Sequence, residues 1–258
     1  MLQVQPQTAQ PGRKNDGTLK KYFYPETRFG GYTDVDGSVA FYGRVNALLR
    51  PEHVVVDIGC GRGEHFHDSV PVRRNLRTLK GKCRHVIGID VDPNALSNPF
   101  LDEFHLIEGT DFPVADATAD LCVSDYVVEH VADPVKFFAE CNRILKPGGY
   151  LCIRTTNAFS YLGLASFLTP NRLHALIVPW AQSGRKSRDV FPTQYRANTR
   201  RRLARTLERA GFDACVYAFD PEPGYLAWSR PAYFLGVLHQ RYAPRALGLA
   251  LFAFAQKR

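Results

Sequence analysis

The run Val54-Val55-Val56-Asp57-Ile58-Gly59-Cys60-Gly61-Arg62-Gly63 constrains this chain more than any other stretch of it. Its apolar part is too short for a helix and reads as a buried parallel strand. Three glycines at alternate positions follow, and a helix is expected after them. Without a Cβ, Gly59, Gly61 and Gly63 let the backbone turn sharply and approach a bound molecule closely. A loop of this kind also aims backbone N–H groups at whatever sits there. Alone it specifies little, and the residues that follow decide the reading.

A second apolar run, His85-Val86-Ile87-Gly88-Ile89-Asp90, ends in a carboxylate. Open α/β sheets bind nucleotide-like ligands outside the carboxyl ends of their strands, where a carboxylate accepts ribose hydroxyls. With residues 54–63, the segments 86–90, 108–111, 121–130 and 143–149 make the chain resemble the class I S-adenosylmethionine-dependent methyltransferases, particularly the small-molecule type 11 branch. The segments keep the family's order and extend over roughly residues 50–157.

The resemblance implies S-adenosyl-L-methionine as cofactor, with Asp57, Gly59, Gly61 and Gly63 at its methionine end and Asp90 on its ribose. It also implies an acidic residue near the adenine amino group. Asp111 and Glu108 are the candidates, Asp111 being preferred, and the neighbouring Phe112 either packs in the core or borders the adenine. Glu129 and His130 stand where the type 11 branch carries the same pair. A neutral His130 beside the crevice is able to accept a hydroxyl proton from the acceptor; alternatively it hydrogen-bonds the chain and shapes the pocket wall. Tyr32, Phe41 and Tyr42 lie in a segment that family members often fold over the cofactor, although aromatic packing on the sheet would give the same pattern.

Alternating strand and helix signals after residue 50 predict an α/β fold. The alternation argues for a doubly wound, mostly parallel sheet, and the resemblance implies a Rossmann-like form closed by an antiparallel C-terminal strand pair, with inserted cap segments. Asp92-Pro93 and Asp133-Pro134 each read as a helix start, with an N-cap and proline at the first helical position. Asn198 or Thr199 caps a later helix whose first turn holds Arg200, Arg201 and Arg202. Residues 213–219 and 249–255 read as the closing strands. Residues 1–21, rich in Gln, Pro and Lys, are expected to form a mobile arm, and residues 22–258 a single domain with insertions at about 157–192 and 220–247. Tyr161, Phe167, His174, Trp180 and the polar run 183–189 fall in the first insertion.

Composition bounds the remaining possibilities. The chain's 258 residues suffice for one α/β domain with elaborations. No apolar stretch reaches the roughly 18–20 residues that span a bilayer, and residues 1–21 lack the apolar core of a secretory signal. Six scattered cysteines with no C-x-x-C pair read as reduced thiols in a cytoplasmic protein. His65 and His67 suggest a metal only superficially, because alternate residues of a helix point to different faces; no metal is expected. The net charge of +8 suggests an anionic partner without naming one. Basic residues between 70 and 84 lengthen the first strand-to-strand connection beyond the family pattern and read as a surface loop rather than an acceptor site.

The expected function is methyl transfer to oxygen on a small-molecule, glycan-like or lipid-linked acceptor by direct in-line displacement. The sequence Ser124-Asp125-Tyr126 replaces the Asn/Asp-Pro-Pro-Tyr seen in many methylases acting on base amino groups and counts against nucleic acid. An RNA or protein methyltransferase and a non-catalytic cofactor-binding module are the rival readings. Leu226, Trp228, Tyr233, Phe234 and Leu238, interspersed with Arg230 and Arg241, suit either a peripheral membrane contact or a pocket cap.

Overall fold

A computed structural model of the chain describes residues 16–168 and 192–258. The run 54–58 does form a central strand, because valine and isoleucine alternate between two covered faces. Val54, Val56 and Ile58 of β1 (Val54–Ile58) enter one core and Val55 the other. Six further strands complete the sheet: β2 (His85–Asp90), β3 (Glu103–Leu106), β4 (Ala119–Asp125), β5 (Leu145–Thr156), β6 (Phe212–Phe219) and β7 (Ala250–Lys257). Their order is β3-β2-β1-β4-β5-β7-β6. β7 alone runs antiparallel, between β5 and β6. The fold is thus the Rossmann-like, mostly parallel sheet with an antiparallel C-terminal pair that the sequence predicts.

Helices cover both faces. On one, α4 (Pro134–Ile144) and α6 (Arg200–Arg209) bury Phe137, Phe138, Ile144, Leu203 and Leu207 in the core that also holds Val54, Val56 and Ile58. On the other, α2 (Gly37–Leu48) buries Phe41, Tyr42 and Val45, joined by Leu76 of α3 (Pro71–Arg77). Asp133 caps α4 by accepting from the N–H groups of Val135 and Lys136, both at 3.1 Å. The chain then passes directly into β5, and a bulge absorbs Lys146-Pro147-Gly148-Gly149.

A smaller core joins the chain's ends. Leu19 and Tyr24 from the region of α1 (Asp16–Phe23) pack on Ala227, Tyr233 and Val237, the last two in α7 (Arg230–Tyr242). α7 lies between β6 and β7, and α5 (Tyr161–Leu168) follows β5. Residues 16–21, expected in a mobile arm, instead lie in α1; residues 1–15 are outside the described residues, as are 169–191 with His174, Trp180 and the run 183–189.

Three other local expectations need correction. Asp92 caps as expected, accepting from Asn94 N–H at 2.9 Å, but Pro93–Ser97 forms only a 3-10 turn. The segment enters β3 within a few residues, too soon for an α-helix to repay its nucleation. The glycine loop likewise runs into a 3-10 turn, Glu64–His67, before α3. The basic segment is no idle surface loop. Arg73 of α3 donates to Asp68 and to Asp36, the N-cap of α2, so its charges fasten one covering helix to the other.

Thr199 rather than Asn198 caps α6, accepting from Arg202 N–H at 3.3 Å. Asn198 is buried and donates to Thr155 Oγ1 at 2.7 Å and to the Thr156 carbonyl at 3.0 Å.

Candidate cofactor and acceptor site

Register brings the site together. Ile58 of β1 lies beside Ile89 and Ser124, and Ser124 beside Ile153. One step further along, Asp90 ends β2, Gly59 leaves β1, Asp125 ends β4, and Arg154 stands next to Asp125 on β5. Four neighbouring strands therefore deliver a carboxylate, the glycine loop, a second carboxylate and a guanidinium to one end of the sheet.

The loop is shaped by its glycines. Gly59, Gly61 and Gly63 all have positive φ, at 71°, 54° and 76°. A Cβ on Gly59 would lie 2.4 Å from Val127 Cγ2, so only glycine lets the loop pass the β4 end; a Cβ on Gly61 would meet nothing within 4 Å. Gly61 thus combines a left-handed backbone with open space beside it. Its N–H donates to Asp90 Oδ2 at 2.8 Å, and Asp92 N–H donates to Asp90 Oδ1 at 2.8 Å. Asn98 clamps the loop from behind, its Nδ2 donating to the carbonyls of Cys60 and Gly61 at 3.1 Å each. No sequence pattern around Asn98 signals that role.

Asp57 sits beneath the loop. Its carboxylate accepts no hydrogen bond among the described residues. Burial, with the negative charges of Asp125 and Asp90, pushes its pKa up to about 7 against an opposing pull from Arg77. Such a carboxylate is poised for a cation.

Across β4 and β5, Arg154 is 5% exposed and forms a bidentate pair with Asp125: Nε to Oδ1 at 2.6 Å and a terminal nitrogen to Oδ2 at 2.7 Å. Ser38 Oγ accepts from its other terminal nitrogen at 3.1 Å, and Tyr42 Oη donates to Asp125 Oδ2 at 3.0 Å. The guanidinium carbon lies 5.3, 5.7 and 4.9 Å from the ring centres of Phe41, Tyr42 and Tyr126. Burial alone would raise the Asp125 pKa, but the Arg154 charge beside it holds the carboxyl below its usual range. Tyr126 adopts φ 58°, a backbone state costing about 1–3 kcal/mol for a non-glycine residue. Its ring over Arg154 and its N–H to the Arg154 carbonyl at 2.7 Å hold it there. Arg77 approaches Asp125 Oδ2 at 4.0 Å, while its buried Nε has no acceptor among the described residues.

The expected site residues divide into two groups. Asp57, Gly59, Gly61, Gly63 and Asp90 gather as described. Asp111 does not join them: it is exposed, pairs with Lys136 of α4 at 3.0 Å and accepts from Thr110 Oγ1 at 3.2 Å. Glu108 is exposed as well, and Phe112 is buried against Phe137. Glu129 is buried and accepts from the hydroxyls of Thr155 at 2.7 Å and Thr156 at 3.1 Å. It braces the chain after β4 against β5. His130 lies on the loop between β4 and α4, with Nδ1 3.2 Å from the Pro192 carbonyl. The sequence reading missed Asn98, Arg77 and the Asp125–Arg154 pair. For Arg154 a signal existed, since a charge inside an apolar strand run demands a buried partner.

Residues 56–153 match the methyltransferase-domain family. Together with the strand order, this shows that the chain carries a class I S-adenosylmethionine-dependent methyltransferase domain, whose cofactor is S-adenosylmethionine. Its relatives include a probable S-adenosylmethionine-dependent methyltransferase of Mycolicibacterium smegmatis, 31% identical over 114 residues, 42% of this chain and 39% of that protein. A ubiquinone biosynthesis O-methyltransferase of Rhizobium leguminosarum bv. trifolii is 32% identical over 125 residues, 47% and 48% of the two chains. Among solved structures, the fold resembles that of geranyl diphosphate C-methyltransferase from Streptomyces coelicolor, with TM-score 0.52, 14% identity, and coverage of 85% of this chain and 75% of that one. The chain spans about half the length of the first curated relatives it matches.

The residues fit this cofactor. Gly61 leaves room for it, and the unbonded Asp57 carboxylate suits a ligand bearing an ammonium and a sulfonium. The sign of the Asp57 shift gives two linked expectations. Its folded pKa of about 7 lies above the model-peptide value of 3.8, so the folded chain holds the extra proton between those limits and loses stability as pH rises through them. Asp57→Asn should therefore raise the melting temperature at pH 8 while weakening the cofactor. Calorimetric titration of the unmutated protein should show cofactor affinity about tenfold weaker at pH 6 than at pH 8, and this dependence should vanish in Asp57→Asn. Equal affinity at both pH values would remove the cation-binding role.

Proposed function

We propose that this chain transfers the methyl group of S-adenosylmethionine to an oxygen atom of a small-molecule, glycan-like or lipid-linked acceptor. The observation that carries the reading is the Gly61–Asp90 hydrogen bond beside the unbonded Asp57 carboxylate, all at the carboxyl ends of β1 and β2. When bound, the cofactor supplies an electrophilic methyl carbon whose bond to sulfur breaks as the acceptor oxygen attacks in line.

The chain's part is to hold and orient. Asp57 faces the ammonium of the methionine end, and the glycine loop allows close approach. The Asp90 oxygens each accept one backbone N–H and retain lone pairs for the two ribose hydroxyls. Arg77, with its orphaned buried Nε, is placed for the methionine carboxylate. Asp111 remains the candidate for the adenine amino group, which requires its side chain to exchange Lys136 for the ligand. The Arg154–Asp125 pair fixes the wall on which the acceptor docks and keeps α2 over the crevice. His130, whose Nδ1 lies 3.2 Å from the Pro192 carbonyl, is the candidate to take the proton the acceptor hydroxyl loses.

Oxygen is favoured by this histidine and by the named activity of the Rhizobium relative. We place the protein in the cytoplasm. All six cysteines are free thiols, and no helix of the described residues is long and apolar enough to cross a membrane. A protein activator also belongs among possible partners, because a structure of similar fold from Haloferax volcanii was solved as a complex with the Trm112 methyltransferase activator.

Incubation with methyl-labelled S-adenosylmethionine and a fractionated host extract should label one small-molecule, glycan or lipid pool, and Asp90→Ala should abolish the label. Label confined to RNA or protein would favour the rival enzymes; tight cofactor binding without any label would favour the non-catalytic module. On the identified acceptor, His130→Gln should slow transfer by about 10²-fold or more without changing the cofactor Kd. Arg77→Met should weaken S-adenosylmethionine but not its decarboxylated analogue, and equal loss for both would place Arg77 elsewhere.

A further inference from the structure

α7 is apolar on both of its long sides. Its inner side is fixed: Tyr233 and Val237 are 1% and 2% exposed, and a Cβ on Gly236 would come within 2.5 Å of Pro223. Ser229 caps the helix, accepting from Ala232 N–H at 3.1 Å, so its orientation on the small core is set. The outer side then carries Phe234, Leu235, Leu238 and Tyr242, at 47%, 64%, 36% and 78% exposure. Spacings of one, four and eight residues align them in one stripe. Phe23 extends the stripe to α1. Its ring lies 6.1 Å from Phe234 and 4.9 Å from Tyr22, which is itself 78% exposed. Soluble monomers rarely leave a contiguous surface of this kind uncovered.

The surrounding charge states what covers it. Residues 224–247 hold three arginines and neither aspartate nor glutamate. Arg230 opens α7, where the helix dipole disfavours a cation, and Arg241 and Arg245 stand at its other end, all three exposed. An apolar stripe with tyrosines at its margins and arginines at both ends, and no acid between, matches an anionic lipid interface: rings enter the headgroup boundary and guanidiniums meet phosphates. A protein partner would need a surface both acidic and apolar. The insertion also springs from the crevice end of the sheet, since Phe219, just before it, pairs with Ala250, which pairs with Thr156. Lys20 and Thr33 bind Glu222 at its base.

We propose that the outer face of α7, extended by Tyr22, docks this protein on an anionic membrane surface. The inference deepens the acceptor reading toward lipid-linked molecules but requires no methyl transfer, and its test contains no cofactor. The 258-residue chain is sedimented with vesicles of phosphatidylcholine alone and of phosphatidylcholine mixed with phosphatidylglycerol. Binding is expected only to the mixed vesicles, weakening with salt. Phe234→Ser/Leu238→Ser should abolish most of it, and Arg230→Gln/Arg245→Gln should lower partitioning about tenfold or more. These side chains are exposed, so circular dichroism and melting temperature should stay unchanged and certify the variants. Binding to neither vesicle, equal binding to both, or indifference to the substitutions would overturn the proposal. So would a dimer in light scattering that Phe234→Ser/Leu238→Ser dissociates, because a second copy would then be the occupant. Vesicle binding without labelled product would leave the docking surface standing and remove the enzyme reading instead.

Discussion

The crevice depends on one buried ion pair. Asp125 ends β4 and Arg154 stands beside it on β5, and around them converge Ser38 and Tyr42 of α2, Arg77 of α3 and the left-handed Tyr126. A buried pair of this kind adds little net stability, since desolvating both charges offsets most of their attraction. Its effect is positional. A guanidinium among three aromatic rings and a carboxylate has few alternative geometries, so the helix that touches it is held at a fixed place over the strand ends. Removing either partner would leave an uncompensated charge in the interior, costing about 3–5 kcal/mol.

Around that pair the charges are arranged unequally. Asp57, Asp90 and Asp125 share one end of the sheet, and Arg154 neutralises Asp125 most directly. Asp90 is held by backbone N–H groups. Among the described residues Asp57 is left without a hydrogen bond, and the pull of Arg77 does not offset its burial, as its raised pKa expresses. The folded chain thus keeps a carboxylate where it is unfavourable, an arrangement that becomes favourable only when a cation arrives. This is the usual compromise between stability and binding at a functional site.

The same economy of charge explains why the basic segments differ in character. Arg73 spends its guanidinium on Asp68 and Asp36, and Lys82 on the Asn46 side chain and the Asn75 carbonyl. Those cations hold α2 and α3 together. Among the described residues Arg230 and Arg245 form no ion pair, and they border an exposed apolar stripe. Net charge therefore says less about partners than the location of the cations that remain unneutralised.

Much of this was legible in the chain. Alternating apolar residues in 54–58 set the central strand, the three glycines set the loop, and Asp133-Pro134 set the start of α4, because each depends on neighbours within a few residues. The closing strands were legible as apolar runs, and their antiparallel pairing through the family resemblance. Asp92-Pro93 misled: the cap formed, but the chain length available before β3 allowed only a 3-10 turn. The clamp by Asn98, the orphaned Nε of Arg77, the bracing by Glu129 and the Arg154–Asp125 pair were decided by tertiary structure alone. The bonds of Asn98, Glu129 and Arg154 join residues 26 to 116 positions apart whose meeting depends on strand register, which no local pattern encodes. The sequence by itself determined the strands, the loop and the carboxylates offered to a ligand. Packing decided which of those carboxylates is neutralised, which is left for a cation, and which face of α7 remains uncovered, because charge and exposure are properties of assembled surfaces rather than of a chain.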